Sequence, residues 1–310
     1  MQVDINEIPE AIDMRVGLPR PNWTVIWNWL DGKASADQLH DIYTHLARQW
    51  IEQLIAALPA GYTLSESADF MLLANAEPRD LTRLSRTCEQ AREIILETLP
   101  GVARDEGYGK HVVFAFHDTE SYYDYVSDFY PEAGEFALSG GMFLDVGYGH
   151  LAICLTSGCE PDRVIAHELN HALLRHLSLP LWLDEGVTQV IEGIVVGNSY
   201  FSVDHHIVLR HRDYWNAESI HSFWTGDSFF SPDEGQELSY HLSQVLFRNL
   251  MSDYPASILR FLNTATCQDA GNLALTEACG TTLAKRVSQF LGDGNWTPRD
   301  DYFAEATQGD

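Results

Sequence analysis

Basic residues are scarce in this chain. Nineteen lysines and arginines stand against 45 aspartates and glutamates, a net charge of −26 over 310 residues. A surface so acidic repels phosphate backbones and anionic lipid, which argues against nucleic-acid and membrane partners and attracts cationic peptides modestly. Cysteine is sparse as well. Cys88, Cys154, Cys159, Cys267 and Cys279 are odd in number, scattered and never spaced CxxC. That pattern argues against a disulfide framework and a cysteine zinc site, and it suits a reducing compartment. No apolar run approaches the length of a membrane span. The opening, MQVDINEIPEAIDMRVG, has neither the basic start nor the apolar stretch of a secretory leader. A cytoplasmic location is the expectation.

What the chain does have is enough apolar material, 45% of residues, for a sizeable core. Ser35 and Gln38 make a capping box, and Leu39, Ile42, Leu46, Trp50, Leu54 and Leu58 follow at helical spacing up to Pro59. Residues 67–76, SADFMLLANA, read as a strand closed by Pro78; Leu81, Leu84, Cys88, Ala91, Ile95 and Leu99 then mark a second helix. Residues 111–117 are rich in β-formers, and 140–158 read as two short strands or a hairpin around Gly147 and Gly149. Later segments are helical: 161–177, 182–194, about 236–264, and 273–291. Strands first and helices later predict an α+β fold with segregated layers. Trp23, Trp27 and Trp29 suit either a sugar platform or, more simply, packing of an N-terminal arm, and Tyr122, Tyr123, Tyr125 and Tyr130 read as packing. The polar end of the chain, from Asn295 on, reads as loose.

The informative stretch is VIAHELNHALLRHLSLPLWLDEG, residues 164–186. Pro161 suits the first helical position, and Glu160 and Asp162 complement that end of the helix dipole. At about 100° per residue with His167 as origin, His171 falls near 40° and Glu168 near 100°, while Ile165, Ala166, Leu169, Ala172, Leu173 and Leu177 gather on the far side. Two imidazoles one turn apart on one face can converge on a single tetrahedral ion, and Glu168 lies beside them as a general base toward water. This is the HExxH arrangement. His176 falls within the apolar stripe and reads as a core histidine or a partner of the helix C-terminus.

A third ligand is needed. Leu174 and Leu177 stand where a metzincin carries glycine and histidine, which excludes that class. In LWLDEGVTQVIEGI, Gln189 and Glu192 fall within about 40° of Glu185, with Leu183, Val187, Val190 and Ile194 on the other side. Glu185 therefore heads a polar stripe and is the candidate. Asp184 is the weaker alternative, Glu192 reads as a supporting or solvated group, and Gly186 permits close helix packing. His205, His206 and His211 in DHHIVLRH suggest a second metal patch, although their spacing suits no single-face site.

HELNH followed by LPLWLDEGVTQ resembles the gluzincin-type zinc metallopeptidases, in particular the peptidase MA-like group with its HExxH…WLxEG pattern. The resemblance spans roughly residues 65–292 at the level of element order. It implies a zincin-like fold: a small N-terminal sheet, an active-site helix and a mainly helical C-terminal part. The expected division is an N-terminal helical extension over 1–60, a metallopeptidase domain over 61–295 and a polar tail over 296–310. It implies Zn2+ held by His167, His171 and Glu185, with Glu168 catalytic and Tyr240 donating to the oxyanion, His241 being the alternative donor. Where relatives carry a carboxylate that orients the first histidine, this chain has Gln189, which accepts the same bond but adds no charge. Gly140-Gly141-Met142 echoes the start of the aminopeptidase GxMEN motif, but Phe143 and Leu144 replace its amine-holding residues, so aminopeptidase activity is not implied. The expected function is peptide-bond hydrolysis on a peptide or protein substrate laid along an edge strand from 140–158. The alternatives are a non-catalytic zinc-containing peptide-binding protein on the same scaffold, and a metal-free interaction protein using the N-terminal tryptophans.

Overall fold

The computed structural model of the chain describes residues 3–129, 140–156, 158–198 and 202–299. The chain forms two compact units, residues 1–94 with 105–173 and residues 95–104 with 174–310. The fold is mixed α+β, as the order of the sequence patterns predicts: every described strand precedes residue 155, and the helices dominate after it.

In the first unit, β1 (Ile12–Arg15) and β2 (Leu18–Pro21) form an antiparallel hairpin. Its two-residue turn holds both Val16 (φ 50°) and Gly17 (φ 77°) at positive φ. Glycine adopts that conformation freely; a β-branched valine is strained there. α1 (Trp23–Leu30) is capped by the Asn22 side chain, which accepts from the Val25 amide at 3.1 Å. α2 (Ala36–Ala57) begins at the predicted box, with Ser35 N donating to Gln38 Oε1 at 3.1 Å. The sheet follows: β3 (Thr63–Glu66), β4 (Phe70–Ala74), β5 (His111–Phe116), β6 (Gly141–Leu144) and β7 (His150–Cys154), in the order β3-β4-β5-β7-β6. The central β4, β5 and β7 are parallel and their residues buried almost throughout, which explains their continuous apolar sequences. The two outer strands pair antiparallel. α3 (Pro78–Thr98) connects β4 to β5, and α4 (Thr119–Val126) and α5 (Pro161–Leu174) complete the sequence of elements.

The first 60 residues share the core of this sheet. Trp50 donates its indole N–H to the Pro19 carbonyl and meets Phe114 and His150 edge-on, with ring centroids 5.0 and 5.2 Å away. Trp23 is buried and stacks on Tyr43, while Trp27 stays half-exposed and stacks on Tyr108 at 6.2 Å. Tyr122 and Tyr125 are core residues; Tyr130 lies outside the described residues. His150 is buried and fully paired: it accepts from the Tyr125 hydroxyl at 2.7 Å and lies 2.9 Å from the Tyr148 carbonyl through Nδ1. Burial lowers its pKa to about 3, so it is neutral in the fold.

The second unit is helical among the described residues: α6 (Leu181–Val196), α7 (His205–Tyr214), α8 (Ile220–Thr225), α9 (Gly235–Asp253), α10 (Ile258–Thr264), α11 (Asn272–Cys279) and α12 (Leu283–Leu291). Three expectations need correction. The helix expected over about 236–264 breaks after Asp253, because Tyr254 precedes Pro255 and a residue before proline is driven out of the helical region. The one expected over 273–291 breaks at Gly280, at φ 67°, and Thr282 caps a new helix. Trp296, assigned to the loose end of the chain, is buried, with its indole donating to the Gly292 carbonyl at 2.9 Å; residues 300–310 lie outside the described residues. Among the described residues, no helix is long and apolar enough to cross a membrane.

α6 packs on α9 through its small residue. A Cβ on Gly186 would lie 2.7 Å from the Ser243 carbonyl oxygen and 3.1 Å from Phe247 Cβ. Gly186→Ala therefore forces the two helices apart, and we expect it to cost about 1–3 kcal/mol in urea unfolding; an unchanged midpoint would refute tight packing there. Val16→Asn relieves the strained turn position and is expected to raise stability by about 1 kcal/mol in the same measurement. A drop in midpoint would show that the valine side chain contributes more than its backbone costs.

Candidate metal centre

The sequence places its donors on α5 and α6, and local chemistry fixes both helices. Glu160 pairs with Arg163 at 2.8 Å in the first turn of α5, and Asp162 accepts from Arg83 and Thr87 on α3. The predicted faces hold: Ile165, Ala166, Leu169, Ala172 and Leu173 are buried, and His167, Glu168 and His171 are half-buried. Asn170 is fully buried as well, a polar group the apolar stripe does not announce. α5 ends at Leu174, not 177, which puts the half-buried His176 beyond the helix instead of inside its stripe.

The Nε2 atoms of His167 and His171 are 3.2 Å apart. Two zinc–nitrogen bonds of about 2.05 Å at a tetrahedral angle set their nitrogens about 3.3 Å apart. The rings, at an interplanar angle of 72°, thus already converge as one ion requires. Glu185 joins them: one ligand atom from each of His167, His171 and Glu185 lies within 4.8 Å of the others. Among the described residues this is the group of three that could hold a metal ion, and Asp184, the alternative donor, is outside it. Two imidazoles and one carboxylate form a donor set suited to zinc.

Glu168 is held by a group the sequence reading did not anticipate. Its Oε2 accepts from the main-chain N–H of Phe143 on β6 at 2.7 Å. The signal was present in Gly140-Gly141, noted in the sequence for its likeness to another motif. A Cβ on Gly141 would overlap Cγ1 of Val164, so only glycine lets β6 come this close to α5.

α6 differs from its helical wheel. Glu185, Gln189 and Glu192 are buried, each no more than 7% exposed, while Ile194 is 43% exposed and Val190 half-buried. The stripe expected to face away from the core is buried instead; within it Gln189 meets α9, as does the neighbouring Gly186. Glu192 is accordingly not solvated. Gln189 Nε2 donates to the Tyr240 carbonyl at 3.0 Å, and its Oε1 accepts no hydrogen bond among the described residues, including the one expected from His167. Tyr240 lies in the second turn of α9, half-buried with its ring edge-on to Phe229 at 5.2 Å.

The DHHIVLRH histidines do not form a metal patch. His205 and His206 are exposed, whereas His211 is buried and its Nε2 lies 2.6 Å from Nδ1 of His241. Trp215 donates its indole N–H to His211 Nδ1 at 3.0 Å. An indole nitrogen only donates, so neutral His211 carries its proton on Nε2 and donates it to His241, which carries its own on Nε2. Burial lowers the pKa of His211 to about 3 and that of His241 to about 4. Both are neutral when folded, while an unfolded histidine takes a proton below about pH 6.5. Their contribution is therefore complete above that pH and is lost as the pH falls toward their folded values. We expect the urea midpoint to decline from pH 7 to pH 5, and His211→Gln to flatten that decline. A midpoint independent of pH across that range would count against two buried neutral imidazoles.

Neither a family model nor a curated protein matches the chain.

Proposed function

We propose that this protein is a zinc-dependent metallopeptidase with a zincin-like, gluzincin-type fold, hydrolysing peptide bonds in a peptide or protein substrate. The observation that carries the reading is the convergence of His167, His171 and Glu185, with their ligand atoms within 4.8 Å of one another, and Glu168 next to His167 on the helix that carries both histidines. Zinc bound there supplies Lewis acidity, which polarises a carbonyl and brings the pKa of water toward neutrality. The residues do the rest. Glu168 accepts the proton of the attacking water and passes it to the leaving amine. The Tyr240 hydroxyl donates to the oxygen that gains charge. The acidic surface favours cationic peptides, and the scattered, unpaired cysteines suit the cytoplasm.

Metal analysis and a pooled fluorogenic-peptide assay test this together. The wild type is expected to hold one zinc per chain and to lose turnover with a chelator. Glu168→Gln should keep the zinc and lose about 10²–10⁴-fold in kcat. His167→Ala and Glu185→Ala should lose the metal. Stoichiometric zinc without any cleavage that Glu168→Gln abolishes would favour the non-catalytic peptide-binding alternative. Absence of metal from the wild type after zinc loading would remove both readings.

A further inference from the structure

β6 is an outer strand of its sheet, and its hydrogen bonding fixes which way each amide points. Gly141 is opposite Ile153 and Phe143 opposite Leu151, and Cys154 N donates to the Gly140 carbonyl at 2.9 Å. In an antiparallel pair the directly bonded positions alternate. Residues 140, 142 and 144 therefore face β7, and the main-chain groups of 141 and 143 point outward, away from the sheet. The outward N–H of Phe143 is the one that reaches Glu168 Oε2.

The match between strand and helix is metric. Gly141 meets Val164 and Phe143 meets Glu168. Two residues of strand advance about 6.6 Å, and four residues of helix advance about 6 Å. Contact at the first pair thus brings the second pair together. Gly141 makes the first contact possible, because any side chain there would overlap Val164.

We propose that the Phe143 main-chain N–H is the positioning group for Glu168, with Gly141 setting the strand close enough to serve. The inference rests on the peptidase reading for its consequence, though not for the contact itself. The amide fixes Oε2 and orients the carboxylate so that its other oxygen faces the water. Phe143 does not touch the reacting atoms; it acts through Glu168.

Two measurements on the full chain decide the proposal. Amide exchange followed by NMR reads the contact without reference to activity. The Phe143 amide should exchange slowly in the wild type and in Glu168→Gln, which keeps an acceptor oxygen, and about tenfold or more faster in Glu168→Ala. The Met142 amide, which faces β7, should be unchanged. Equal Phe143 exchange in wild type and Glu168→Ala would overturn the proposal. Kinetics read its consequence. Phe143→Pro deletes an outward N–H without removing a bond of the sheet, a substitution outer strands tolerate, and Phe143→Leu keeps the N–H. Relative to Phe143→Leu, Phe143→Pro should lower kcat about tenfold or more with KM within about twofold. Equal kcat in the two variants would also overturn it. A wild type that cleaves nothing defeats the peptidase reading, and the exchange experiment still decides the Glu168–Phe143 contact.

Discussion

The missing side chain at Gly141 governs the geometry around Glu168. A strand carrying any Cβ at that position would overlap Val164 in the first turn of α5. With none, β6 settles against the helix, and one turn further along α5 the Glu168 carboxylate meets the Phe143 amide. The carboxylate of an HExxH helix is flexible in itself, with three rotatable bonds before its oxygens. A main-chain donor on a sheet is among the most rigid partners a protein can give it, because the strand is fixed by its ladder to β7. Backbone geometry, chosen by one glycine, thus limits side-chain freedom at the residue on which the proposed chemistry turns.

Much of the first unit was legible because its signals are local. The capping box at Ser35, the apolar spacing of α2 and α3 and the buried runs of β4, β5 and β7 all follow from rules that act within a few residues. The two histidines of α5 were legible for the same reason: an i, i+4 pair on one face is a property of the helix alone. What stayed hidden depends on distant partners. α6 reads as amphipathic with a polar outer stripe, yet that stripe is buried, and its Gln189 bonds a carbonyl of α9 some fifty residues later. The short β1–β2 hairpin, α4, α7 and α8 offer too few turns or alternations for a periodicity to stand out. The breaks at Pro255 and Gly280 were announced by ordinary punctuation, but apolar spacing continues through both and conceals them.

The His211–His241 pair illustrates the same division. Sequence proximity grouped His211 with His205 and His206, and chemistry then suggested a metal. The fold instead buries His211 against a residue thirty positions away and leaves the other two in solvent. The indole of Trp215 determines which nitrogen of His211 holds a proton, and through it which nitrogen of His241 does. Buried imidazoles that bond one another in this way need no cation to bring them together, so histidine content alone is a poor guide to metal binding. Convergence of nitrogens on one point, as at His167 and His171, is the discriminating feature.

That criterion also separates the glutamates. Glu168 and Glu185 are chemically identical, and both lie near the two imidazoles in sequence, yet their surroundings differ. Glu185 is the carboxylate grouped with His167 and His171 as a set that could hold a metal ion. Glu168, rotated about 100° from His167 along the helix, has one oxygen engaged by a backbone amide. A site built only to hold an ion would gain by turning every nearby carboxylate into a ligand, since each adds charge and affinity. Under the proposed function, withholding Glu168 would sacrifice affinity and leave an oriented proton acceptor beside the donor set. That division of roles is what hydrolysis requires and what mere retention of a metal does not, and it is why the catalytic reading stands ahead of the binding one.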